Sequence, residues 1–307
     1  MSTPALSVAD KAVITRRITL LSTLAATLLI ALKGAAFAAS GSVAVMASLA
    51  DSCLDLVASL VTLLAVRYAN APPDAAHRFG YGKAEAFASL MQAGLVFASG
   101  ALIGREAIGR LLHPAPVSVD GWSIAVMIVS IAITGGLITL QSRALAKAGS
   151  IAVAGDRAHY AADLASNGVV IVGLLATALT GVVWIDAVAG LVVAAWLVWG
   201  AVGVFRGASG QLMDRELSDK DRARVLALMA QDPRVRGVHQ LRTRESGPYI
   251  HIQAHIDLDH DLTLEAAHQI VVDAERRILS IFPAADILLH ADPRGRAETH
   301  GGVFGES

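Results

Sequence analysis

Six long apolar stretches, each cut from the next by a short polar or turn-forming run, fill the first two thirds of the chain. They run roughly over Ile14–Ala39, Ser42–Tyr68, Ala84–Arg110, Ser118–Ala146, Ile151–Leu179 and Trp184–Phe205. Each is long enough to cross a bilayer as a helix, which takes about 20 predominantly apolar residues. Gly41 parts the first pair with almost no loop, and Asn70-Ala-Pro-Pro-Asp74 is a turn-forming linker between the second and third. His113-Pro-Ala-Pro116, Ala148-Gly-Ser150 and Thr180-Gly181 make the remaining breaks. Beyond Phe205 the pattern changes. Ser218 caps a helix that runs to about Gln231, Val235–Glu245 reads as a strand, and Ser246-Gly-Pro248 as a turn. Tyr249–Asp259 then alternates, with Ile250, Ile252, Ala254, Ile256 and Leu258 on one face and polar residues on the other, the signature of a half-buried strand. Thr263 opens a helix to about Phe282, and Ala285–His290 is the last strand.

The expected architecture is therefore an α-helical membrane protein of six spanning helices with a small C-terminal α/β domain of order αββαβ. Its parts are an N-terminal segment 1–13, a helical domain 14–206, a linker 207–218, the small domain 219–293, and a disordered Gly-rich, charged tail 294–307. Composition agrees: of 307 residues, 54% are hydrophobic and only 17% charged, too apolar for an ordinary soluble domain. A net charge of -1 gives no case for nucleic-acid binding. Cys53, the one cysteine, excludes a disulfide framework and is read as a small packing residue. The polar start of the chain carries no cleavable leader pattern. Lys and Arg flank the loops after the second and fourth segments while the Gly41 and Gly181 turns carry none, so both termini are expected on the cytoplasmic side. Lys33, Arg105 and Arg110 run against that balance. Small residues such as Gly100, Gly104 and Gly168 predict close helix packing.

Two apolar segments carry chemistry that composition alone does not require. Asp51 and Asp55 in the second, and His159 and Asp163 in the fifth, are each four residues apart, so each pair lies on one helix face. A carboxylate near the bilayer centre costs roughly 2.5–3.5 kcal/mol even on a lenient scale. Pairing with a neighbouring cation is one reading, but Lys33 is the nearest candidate and cannot balance three carboxylates. The other reading is a four-ligand oxygen and nitrogen site for a divalent transition metal, or a proton site. His159 can exchange a proton for a metal because its ordinary pKa lies near neutrality. The small domain holds six of the ten histidines. His239 and His255 can face each other on neighbouring strands, His290 and Asp292 share a strand face, and His268 lies on the helix between. Such a cluster suits Zn²⁺, though unconnected surface histidines give the same spacing. In the second loop Asp74 and His77 are either a small metal site or ordinary solvated residues, and Lys83 and Glu85 read as interfacial anchors at a helix start.

These motifs, taken together, resemble the cation diffusion facilitator family, in particular its bacterial zinc and iron efflux type. The resemblance rests on Asp51-x-x-x-Asp55, Phe79-Gly-x-Gly-Lys-x-Glu85, His159-Tyr-x-x-Asp163, Leu212-Met-Asp214, Leu241-Arg-Thr-Arg-x-Ser-Gly247 and His290-x-Asp-Pro293, and it covers about Ile14 to Pro293. It implies a homodimer in a bacterial inner membrane, embedded in lipid, that exchanges Zn²⁺ or Cd²⁺, with Fe²⁺ as a further substrate, for protons. It implies a metallochaperone-like cytoplasmic domain and no organic cofactor. By the same resemblance Asp51, Asp55, His159 and Asp163 form the transport site, and His239, His255, His268, His290 and Asp292 a binuclear zinc site joining two cytoplasmic domains. Lys83 and Asp214 fall where the family makes an inter-subunit salt bridge. The loop departs from the pattern: Tyr81 stands where relatives carry a third ligand, so Asp74 and His77 are expected to bind metal weakly or not at all. An intramembrane zinc hydrolase is the rival reading, but four protein ligands leave no position for the water such catalysis needs, and no His-Glu-x-x-His pattern is present. A membrane-anchored metal sensor would need only the soluble cluster.

Overall fold

The computed structural model describes residues 7–41, 43–113, 121–180 and 184–295. Two compact units divide the chain, Ala12–Ser209 and the part from Gly210 onward together with the first residues. Six helices make the first: α1 (Val8–Ser40), α2 (Val43–Ala69), α3 (Ala84–Leu112), α4 (Gly121–Ala148), α5 (Ile151–Thr180) and α6 (Trp184–Leu212). At 1.5 Å per residue each is long enough for a bilayer. Five contain spans that are long and apolar enough to cross one, in α1, α2, α3, α4 and α6. The described residues of α5 fall short of that test, and this helix carries Asp156, Arg157, His159 and Asp163. Helix α1 begins six residues before the apolar run that predicts it, because helical pattern continues through the polar turn around Asp10. The Gly181 turn, the start of the fourth apolar stretch at Ser118 and the tail beyond Gly295 lie outside the described residues.

What the helices turn outward is apolar: Leu24, Leu54, Phe87 and Trp199 are all exposed, as lipid-facing positions are. Inside, small residues set the spacing. A Cβ on Gly155 of α5 would lie 3.1 Å from the Ser89 Cα of α3, and one on Gly100 would lie 3.3 Å from the Ala194 carbonyl oxygen of α6. Helices meet this closely only where side chains are small. Around these contacts Val96, Ala162, Leu197 and Ala201 form one buried cluster, and Val66, Ala88 and Ala152 another.

Two sequence expectations change here. Glu85 is not an interfacial anchor: it is buried at 2% exposure and accepts a 2.6 Å hydrogen bond from the Ser150 hydroxyl. That hydroxyl also accepts from the Val153 N–H, so one serine caps α5 and ties it to α3. Cys53 is exposed rather than packed, since it lies off the face of α2 that carries Asp55.

The second unit comprises α7 (Asp219–Met229), β1 (Gly237–Ser246), β2 (Tyr249–Leu258), α8 (Leu264–Leu279) and β3 (Ala285–Pro293), in the expected order αββαβ. Ser218 and Thr263 cap the two helices, accepting from the Asp221 and Ala266 N–H groups. The sheet order is β1-β2-β3: a hairpin pairs β1 with β2 antiparallel, and the α8 crossover brings β3 in parallel. Ile252, Ala254, Ile256 and Leu258 point into a core shared with Val225, Met229, Ile270, Ala274 and Ile278, as the period-two alternation requires. The strand β3 continues three residues past His290, and that extension carries Asp292.

Candidate functional site

In the helical unit, α2 and α5 bring Asp55, His159 and Asp163 together, with ligand atoms that all lie within 4.8 Å of one another. The His159 Nε2 sits 3.1 Å from Asp55 Oδ1 and 3.8 Å from Asp163 Oδ2. His159 is buried at 5% exposure and Asp55 at 8%. The His159 Nδ1 and Asp163 Oδ2 are buried without a hydrogen bond among the described residues. Buried polar atoms without partners are rare and costly, and here they border a set of oxygen and nitrogen donors that suits a divalent metal. Asp51 is not in this group. Positions i and i+4 share a helix face but stand a full turn apart, and Asp51 itself is exposed.

Lys33, the nearest cation in the sequence, is bonded to α2 rather than to one of these carboxylates. It is buried at 6% exposure, and its Nζ donates to the Ser48 carbonyl at 3.1 Å and the Ser52 hydroxyl at 2.7 Å. Asp156 was missed by sequence reasoning altogether. It is 1% exposed and accepts from Gln141 Nε2 at 2.8 Å, from Gln92 Nε2 at 3.3 Å and from Ser59 Oγ at 3.5 Å. Gln141 also donates to Ser22 Oγ at 3.0 Å. Ser59 is bonded to the Tyr160 hydroxyl at 2.7 Å, and that hydroxyl donates to the Ser22 carbonyl. Residues of α1, α2, α3, α4 and α5 thus share one buried polar network, one helical turn from His159. Its sequence signal was the set of polar residues within the apolar runs, Asp156 itself with Ser22, Ser59, Gln92, Gln141 and Tyr160.

In the small domain the strand register does the assembling. His239 pairs with His255 across β1 and β2, and His255 with His290 across β2 and β3, so the three imidazoles form one row across the sheet. Ring centroids stand 5.2 Å and 5.0 Å apart along it. A bulge follows His239, where Gln240 takes a φ of 50°. Asp292 is the hub: its carboxylate lies 2.8 Å from His255 Nδ1, 3.4 Å from His239 Nε2 and 3.1 Å from His290 Nε2. His239, His255 and Asp292 have ligand atoms close enough to share one ion. His268 is exposed on α8 and outside this group. Asp257, on the same row as Asp292, stands 3.4 Å from His239 Nε2; it was legible only once the register was known.

The loop between α2 and α3 closes on itself. Asp74 Oδ1 accepts from the Ala76 and His77 N–H groups at 2.9 and 2.7 Å, and the Tyr81 hydroxyl donates to Oδ2. That phenol holds the Asp74 carboxyl below its ordinary pKa, and the carboxylate in turn pushes the phenol up. The Tyr81 ring rests against His77 at a centroid distance of 4.5 Å and Tyr68 at 4.3 Å. Asp214 accepts from Arg244 at 3.2 Å.

A bundle of apolar helices with a buried carboxylate and imidazole cluster, followed by a small sheet domain with a second such cluster, defines a membrane protein that handles metal ions. Comparison with known proteins gives the class its family. The cation efflux transmembrane domain matches residues 19–213, and the cytoplasmic domain of cation efflux proteins matches residues 217–294. The chain is 38% identical over 277 residues to the cation-efflux pump FieF of Cronobacter sakazakii, covering 90% of this chain and 92% of that one. It is 37% identical over 265 residues to FieF of Shewanella oneidensis, covering 86% and 89%. Among solved structures, the metal-bound C-terminal domain of the CzcD transporter from Thermotoga maritima aligns at 22% identity, covering 27% of this chain and 100% of that one with a TM-score of 0.25. The chain belongs to the cation efflux family: it is a multi-pass membrane transporter of divalent cations and not an enzyme.

Proposed function

We propose that this protein is a proton-coupled efflux antiporter for Zn²⁺ and Cd²⁺, with Fe²⁺ as a further substrate, working as a homodimer in a bacterial inner membrane with both termini cytoplasmic. The observation that carries the reading is the convergence of Asp55, His159 and Asp163 from two helices at a buried point in the bundle. A proton carried on the His159 Nε2 is donated to Asp55, 3.1 Å away, beside Asp163 at 3.8 Å. A divalent cation needs the lone pairs of the same three groups, so metal arrival expels the proton and metal departure readmits one. One site that holds either cargo, exposed alternately to the two sides, exchanges metal for protons. Asp51, one turn along α2, is the third carboxylate and the fourth ligand of the proposed site. The donor set favours borderline ions over Mg²⁺ or Ca²⁺, which take all-oxygen shells.

The His239, His255 and Asp292 donors fit zinc in the small domain, with His290 and Asp257 bordering them and His268 the remaining candidate. Two copies brought together by such a site would couple cytosolic metal to the membrane pair, alongside a Lys83–Asp214 bridge between subunits. Asp292→Ala is expected to lower zinc stoichiometry in the purified protein and to reduce transport; unchanged values for both would remove this role. The loop residues Asp74 and His77 take no part, because Asp74 is already satisfied by the Tyr81 hydroxyl and two backbone N–H groups.

The experiment for the membrane site is zinc uptake into proteoliposomes by wild type and Asp163→Ala. The substitution should cut flux to background while the protein stays folded and dimeric. Wild-type flux from Asp163→Ala would overturn the assignment.

A further inference from the structure

The groups that face one another around the transport site include one that metal ligation does not use. We propose that Lys33 is a tethered counter-cation of that site, fixing its charge so that a divalent ion is bound loosely enough to leave; the inference rests on the transport-site reading above. Lys33 lies well inside α1, seven residues before its end at Ser40. A lysine there has a cheap alternative, which is to extend its flexible stem toward the interface. It is instead held by two atoms of α2, the Ser48 carbonyl and the Ser52 hydroxyl. Ser52 is fully buried and follows Asp51 directly, so these contacts fix the ammonium beside the turn that carries Asp51.

Charge decides what that placement does. Asp51, Asp55 and Asp163 together carry three negative charges when ionised. Lys33 leaves a net of two, which one divalent ion neutralises while His159 is neutral. Without Lys33 the site would hold one uncompensated negative charge with the ion bound, and attraction in a low-dielectric interior is strong. A transported ion must bind well enough to arrive and weakly enough to depart. Lys33 is thus a positioning residue for the electrostatics of release, not a ligand: among the described residues no carboxylate lies within ion-pairing distance of its Nζ.

The test uses the full-length protein in two formats. Zinc affinity is measured by competition with a fluorescent chelator in an Asp292→Ala background, which leaves the membrane site as the one under study. Flux is measured in proteoliposomes with the cytoplasmic site intact. Lys33→Met is expected to bind zinc about tenfold tighter, a change of about 1.4 kcal/mol, and to transport it with a lower KM and a lower kcat. Lys33→Arg keeps the charge and should restore affinity toward wild type. Lys33→Gln retains a donor for Ser48 and Ser52 while removing the charge, so it should match Lys33→Met even if that variant folds poorly. A merely structural lysine would give weaker binding when lost, never tighter. Unchanged or weaker zinc binding in folded Lys33→Gln would overturn the proposal. Asp163→Ala in the same background separates the two readings: if zinc binding survives it, the transport site itself is wrong, whereas if it is lost and the Lys33 variants bind like wild type, only the role of Lys33 falls.

Discussion

Single side chains set what the loop between α2 and α3 offers a metal. At the loop, Tyr81 engages Asp74, whose carboxylate accepts from the Tyr81 hydroxyl and from the backbone N–H groups of Ala76 and His77. Replacing that phenol by imidazole removes the competing donor and adds a ligand beside Asp74 and His77. Tyr81→His is therefore expected to raise bound zinc by about one equivalent per protomer, read by metal analysis of the Asp292→Ala, Asp163→Ala background; no gain would mean that loop geometry, not Tyr81, keeps metal out. In the small domain Arg234 holds Asp232 through two hydrogen bonds of 3.0 and 2.7 Å, and the Asp232 pKa is pushed down to about 2. An acid whose folded pKa is depressed stabilises the fold above its unfolded value, near 3.9, and loses that contribution as pH falls toward 2. Asp232→Asn should cost about 1 kcal/mol at neutral pH, allowing for the solvent around Arg234. The difference from wild type should shrink through that acidic window in thermal unfolding; a constant difference would place its cause in packing.

At the scale of elements, helix approach and strand register do what no single residue can. Gly155 lets α5 lie against Ser89 and Gln92 of α3, and the same α5 presents Asp156, His159 and Asp163. Gly155→Leu should push these helices apart at a cost of about 1–3 kcal/mol, seen as a lower unfolding temperature in detergent together with lost zinc affinity; retained affinity would show that the site does not depend on this contact. How much of this could be read beforehand follows from the kind of order involved. Local periodicity shows in the chain itself, so β2 and the faces of α2 and α5 were legible, as was the pairing of His159 with Asp163. Depth and rotation are set by neighbours far away in sequence. That is why Asp51 falls outside the buried group, why Glu85 turns out to be a buried partner of Ser150, and why Asp156 and its network went unseen. Asp257 lies two residues from His255 on the polar face of β2, but its closeness to His239 shows only once β1 and β2 are paired, which no local pattern reveals.

Among the described residues, the chain combines a helical bundle, with apolar outward positions and buried ionisable groups, and a small α/β unit that holds a histidine and carboxylate cluster. Membership of the cation efflux family gives both units their general role. On the reading proposed above, the buried cluster adds the coupling: three groups that share either a proton or a metal cannot hold both at full strength. The most direct measurement traps a pH-sensitive dye inside proteoliposomes carrying the purified protein and follows zinc and proton movement in the same vesicles. Zinc uptake should be matched by proton movement in the opposite direction, should accelerate when the imposed pH gradient favours that exchange, and should vanish in Asp163→Ala. Zinc entering at wild-type rate with no proton movement, or with no response to the gradient, would contradict antiport through the Asp55, His159 and Asp163 site.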